Sequence, residues 1–88
     1  MIYLIGATLE IGDLVKIGTS VQPLARLKSL QTGCPNKIAI LALVPGGHAF
    51  ERTLHRRYAR ERVSGEWFKV SPRLREWALQ QVMKAPQM

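Results

Sequence analysis

The 88 residues are enough for one small domain, residues 1–88, and not for two. Hydrophobic residues at 47% and charged residues at 22% match ordinary globular usage, which argues against a disordered chain. One cysteine, Cys34, excludes an internal disulfide, and with only His48 and His55 beside it no zinc set is visible, so packing must hold the fold. That fits a reducing compartment. Thirteen Lys and Arg against six Asp and Glu give a net charge of +7. Such a field favours polyanions, nucleic acid first and an anionic membrane surface second. The opening MIYLIGATLEIGDL has no basic leader and is broken by Glu10 and Asp13, so it does not read as a signal peptide. No apolar run approaches the roughly 20 residues of a membrane span. The expectation is a cytoplasmic, soluble protein.

Residues 2–6, IYLIG, and 14–18, LVKIG, are β-prone runs joined by a connection with Gly12-Asp13 near its end, and read as an antiparallel hairpin. Tyr3 and Ile5 share one face, as do Leu14, Lys16 and Gly18. A register that pairs Tyr3 with Lys16 would put both on the same face, and a slip of one residue would separate them. The residues do not fix that register.

Pro23 suits a first helical turn, with Ser20 or Gln22 near the cap. Leu24, Leu27 and Leu30 predict an apolar stripe that leaves Arg26 outside the core. Gly33 stops this helix, and Cys34-Pro35-Asn36 make a turn. Residues 38–44, IAILALV, predict a central strand buried on both faces. Residues 48–60, HAFERTLHRRYAR, predict a helix whose Phe50, Leu54 and Tyr58 face the core. Glu51 and His55 stack four apart beside that stripe, and Arg52, Arg56 and Arg60 form a third row. Ser64-Gly65 turn into EWFKV, a short strand or sheet edge. Ser71-Pro72 open a last helix with Leu74, Trp77, Ala78 and Val82 as its buried face, and residues 84–88 form a frayed tail. The order β-β-α-β-α-(β)-α implies an α+β fold: a small, mostly antiparallel sheet flanked by helices.

IYLIG at 2–6, VKIGTS at 15–20, then Arg26-Leu27, then Glu51 within FERTLHRRYA, resemble the GIY-YIG nuclease superfamily. GEWF at 65–68 and the E-x-x-x-H of Glu51 and His55 resemble its phage-associated and fungal branch, in which KIG replaces YIG. The order and spacing of these short motifs, from residue 2 to about 70, carry the resemblance.

The resemblance implies a metal-dependent endonuclease with Tyr3, Lys16, Arg26, Glu51 and His55 as its site. Hydrolysis of a phosphodiester needs an attacking water, a stabiliser of phosphoryl charge and help for the departing oxygen. One Mg²⁺ or Mn²⁺ can serve the last two, and a single carboxylate, Glu51, suffices to hold it in principle. Arg26 would offer a planar fork to the phosphate. Tyr3 would sit beside the attacking water as a base or positioning group, helped by basic neighbours such as Lys16. Lys16 replaces the second tyrosine of the best-known pattern, and would hold phosphate, act on Tyr3 or serve as a base itself. No asparagine follows Asn36, whereas many superfamily members carry one after the glutamate helix; His55 is expected to fill part of its space as a phosphate contact or proton carrier. The implied partner is nucleic acid, DNA ahead of RNA. So small a core predicts weak sequence specificity, or specificity supplied by a homodimer or a protein partner.

The same residues have structural readings. Tyr3 is ordinary in a core, Lys16 on an edge strand is common, and Arg26, Glu51 and His55 on helices are often solvated. Trp67 and Phe68 read as core before they read as a base-stacking platform. A non-cleaving basic nucleic-acid-binding module on the same fold is the alternative function.

Overall fold

The strand shielded on both faces is the first one. In the computed structural model, which describes residues 1–84, β1 (Ile2–Gly6) is buried along its whole length. It pairs antiparallel with β2 (Leu14–Thr19) on one side and β3 (Ala39–Val44) on the other. A hairpin of β4 (Arg62–Ser64) and β5 (Trp67–Lys69) extends the sheet from β2, giving the order β3-β1-β2-β5-β4, antiparallel throughout. Three helices, α1 (Pro23–Thr32), α2 (His48–Arg57) and α3 (Pro72–Lys84), complete the expected α+β arrangement. The expected tail lies, from residue 85 on, outside the described residues, and Lys84 ends α3.

Alternation along β1 and β2 divides the interior in two. Ile2, Leu4, Val15 and Ile17 join Ala42, Val44 and Phe68 against Leu54 and Tyr58 of α2 and its connection, and Leu74 and Ala78 of α3. Tyr3 and Ile5 point the other way, against Ile38 and the half-buried Leu27 and Leu30 of α1. Full burial of each large apolar side chain contributes about 1.5–3 kcal/mol, so the α2–α3 side holds most of the stabilisation.

Four expectations are corrected. The IAILALV run forms an edge strand, not a central one. Its Ala42 and Val44 pack toward α2 and α3, and its Ile40 packs on the α1 side, so both faces carry apolar contacts although one edge has no strand partner among the described residues. Leu24 is 76% exposed. Successive steps of three residues drift about 60° around a helix, so Leu24 and Leu30 cannot share one narrow contact. The second helix stops at Arg57, followed by a single 3-10 turn, Ala59–Glu61, which turns Glu61 inward against Arg73 and Ser71. Val82 is exposed, and Trp77 is half-buried against Tyr58.

Candidate functional site

The β1–β2 register pairs Tyr3 with Gly18 and Ile5 with Lys16. This is shifted by two residues from a Tyr3–Lys16 pairing. A shift of two keeps every side chain on its face, so Tyr3 and Lys16 still lie on the α1 side of the sheet. The register also gives Gly18 a purpose. A Cβ there would fall on the Tyr3 hydroxyl and 2.9 Å from Glu66 Oε2, so only glycine lets the phenol lie across β2.

Tyr3 is 1% exposed, and its hydroxyl lies over Gly18 on the α1 side of the sheet. There Arg26 Nε makes a long hydrogen bond to it, 3.5 Å. The Tyr3 oxygen foremost, and the more distant Glu66 carboxylate, hold the Arg26 guanidinium still more firmly protonated than usual. Arg26 is exposed, with donors free for a further anion.

Lys16 is almost buried, and its Nζ lies 3.6 Å from Glu66 Oε1 and 5.6 Å from the centre of the Trp67 ring. The ammonium therefore pairs with Glu66 and the indole face. Trp67 is half-buried, while Phe68 is wholly core, so the aromatic pair divides between the two sides of the sheet.

The α2 side meets this group where β5 begins. The last β2–β5 partners are Lys16 and Trp67. One residue on, Ile17 N–H still donates to Glu66 O (3.0 Å), but its carbonyl has no strand partner and accepts from His55 Nε2 at 2.9 Å. The imidazole also packs on Phe68, ring centres 5.1 Å apart. Glu51, one turn before His55, has the same half-buried setting. Ile17 thus ties α2 and the β4–β5 turn to one point of β2.

Glu51, His55 and Glu66 each place one donor atom within 4.8 Å of the others. Two carboxylates and an imidazole gathered this closely have the chemistry of a divalent-cation site, so the residues present fit the cation that the motifs imply. Glu66 was not among the residues expected in the site. It stands inside GEWF, and the available signal was an acidic residue between a turn glycine and a core strand in a chain with only six acids.

The site is open. Cavities of about 640 Å³, beside Arg60, Glu61 and Arg73, and about 550 Å³, beside Pro72 and Leu79, have none of the six side chains in their walls. Arg52 and Arg56, next in sequence to Glu51 and His55 respectively, are exposed on α2, as is Arg26 on α1. No helix among the described residues is long and apolar enough to cross a membrane.

Comparison with curated proteins and with solved structures finds no match. A family model, the T5orf172 domain, matches residues 1–85, nearly the whole chain, so the protein belongs to the T5orf172 domain family, a nuclease-like domain family.

Proposed function

We propose that the protein is a GIY-YIG-type endonuclease that hydrolyses nucleic acid phosphodiester bonds, with DNA as the first substrate to test. The observation that supports this most is the meeting of two groups where β5 begins. One is Tyr3 with Arg26; the other is Glu51, His55 and Glu66, and the Tyr3 hydroxyl and Glu66 Oε2 both lie against Gly18.

Each side chain has a defined task in this reading. Arg26 binds a non-bridging phosphate oxygen through its free donors and stabilises charge that grows there. The Tyr3 hydroxyl, held by Arg26 and by the glycine-lined gap over β2, positions the attacking water and accepts its hydrogen bond. Lys16 keeps the carboxylate of Glu66 in place and adds positive charge below the phosphate. Glu51 would hold a divalent cation, Mg²⁺ or Mn²⁺. When bound, such an ion polarises the phosphoryl oxygen and eases departure of the 3′ oxygen. His55, hydrogen-bonded to Ile17, stands beside it on α2.

The test is cleavage of supercoiled plasmid and labelled oligonucleotides with Mg²⁺, Mn²⁺ or EDTA. Wild type should cut only with metal, and Glu51→Gln should lose the activity while keeping the fold. Undiminished cutting by a clean Glu51→Gln preparation would remove Glu51 from the site. The exposed arginines of α2 favour one second reading, a binding module that does not cleave. Salt-sensitive retention on DNA without metal-dependent cutting would select it.

A further inference from the structure

We infer that Glu51, His55 Nδ1 and Glu66 form one cation site that takes Mn²⁺ in preference to Mg²⁺. The inference rests on the nuclease reading for the use of the ion, but not for its binding.

Three observations carry it. The first is convergence: three donors from two separate elements, α2 and the β4–β5 turn, lie within 4.8 Å of one another. Bonds of about 2.1 Å to an ion put neighbouring donors about 3 Å apart, so closure draws the donors together by side-chain rotation, with Nε2 held on Ile17 O and Nδ1 left to the ion. The second is the tautomer of His55. Ile17 O can only accept, so Nε2 carries the hydrogen and the neutral ring keeps its lone pair on Nδ1. A ring whose other nitrogen donates to a backbone carbonyl is the usual state of a metal-binding histidine, fixed in orientation and made more basic. The third is electrostatic. Two of the chain's six acidic residues meet here, and Lys16 faces only Glu66, at Oε1. Glu66 Oε2 lies on the Gly18 side, so one carboxylate can keep its lysine through Oε1 while its second oxygen serves the ion.

The donor set determines the preference. Mg²⁺ takes oxygen ligands in a strict octahedron and gives up water reluctantly. An imidazole donor favours first-row transition ions, among which Mn²⁺ is the weakest binder and so the most demanding probe of the claim. Glu66 becomes a ligand in this arrangement, and Lys16 its positioning residue.

The experiment is a Mn²⁺ titration of the full chain without nucleic acid. Bound ion is read from loss of the free-ion paramagnetic resonance signal, with Mg²⁺ as competitor. Wild type should bind one Mn²⁺, and Mg²⁺ should displace it only at about tenfold or greater excess. Glu66→Gln and His55→Gln should each weaken Mn²⁺ binding by roughly tenfold or more. Lys16→Met breaks the same ion pair as Glu66→Gln but removes no ligand, so any loss of Mn²⁺ affinity should be well below that of Glu66→Gln. Unfolding curves confirm that each variant is folded. Equal affinity for the two ions, an unaffected Glu66→Gln, an unaffected His55→Gln, or an equal loss in Lys16→Met would each overturn the inference. If Mn²⁺ binds as described but nothing is cut, the nuclease reading fails and the site stands. If metal-dependent cutting occurs while Glu66→Gln leaves Mn²⁺ affinity unchanged, the site fails and the nuclease reading stands.

Discussion

Gly18→Ala tests the site through its most crowded point. The added Cβ would lie 2.6 Å from Tyr3 Cζ and 2.9 Å from Glu66 Oε2. Ordinary carbon contacts are about 3.5–4.0 Å, so the phenol must retreat by about 1 Å. Behind it stand Ile5, Ile38, Leu27 and Leu30, which leave little room to yield. Overpacking of this kind costs about 1–3 kcal/mol. In a domain of this size each kcal/mol lowers Tm by about 4–8 °C. Displacing a reacting group by about 1 Å lowers the rate on the order of 100-fold. Gly33→Ala is the control, because φ there is −96° and a Cβ would meet no atom within 4 Å. It should leave both Tm and cleavage nearly unchanged. Adding Tyr3→Phe to Gly18→Ala removes the nearest clashing atom and should recover part of the lost Tm, though not the cleavage. The assays are thermal unfolding by circular dichroism and plasmid nicking with Mn²⁺. A Gly18→Ala protein with wild-type Tm and wild-type rate would refute the close approach of Tyr3 to β2 and the role built on it.

Other outcomes follow from different parts of the molecule. Leu54 is fully buried between Glu51 and His55, so Leu54→Ala should cost about 2–5 kcal/mol in urea unfolding, and a cost below about 1 kcal/mol would mean that α2 is not docked as described. Arg73 foremost, with Ser71, holds the Glu61 carboxyl below its ordinary 4.5 against the opposing effect of burial. A carboxyl lowered by folding stabilises the native state above its unfolded value, and that contribution is lost as pH falls below 4.5 through the lower folded value. Tm should therefore drop with pH in that window for wild type and change less for Glu61→Gln; parallel curves would show that the pair does not titrate with folding. The double variant Arg52→Ala/Arg56→Ala should reduce the slope of log Kd against log salt on DNA by about 1–2, and an unchanged slope would place the phosphates elsewhere.

The sequence by itself determined the hairpin, the three helices and the face on which each motif residue lies. Strand alternation puts Tyr3 and Lys16 on one side whatever the even register, and the i, i+4 spacing puts Glu51 beside His55 on any helix. The stripe of Phe50, Leu54 and Tyr58 was legible for the same reason: a periodic pattern reports a local backbone geometry directly.

What the pattern could not report was adjacency between segments. IAILALV has the composition of a central strand, but its position depends on which edge β1 offers, and its apolar residues divide between the α1 side and the α2–α3 side. Leu24 belongs to a helical stripe and is nevertheless exposed, because α1 rests on the sheet along a narrow line. The pairing of Tyr3 with Gly18, which makes that glycine necessary, is a choice among registers of equal apolar pattern. Glu66 is the clearest case. No spacing rule joins it to Glu51, 15 residues earlier on another element. It enters the site only because β5 begins opposite Lys16, leaving the backbone of Ile17 to bind Glu66 through its N–H and His55 through its carbonyl. Local sequence fixed the residue types and their faces, and the need of one strand end to satisfy its backbone groups brought them together.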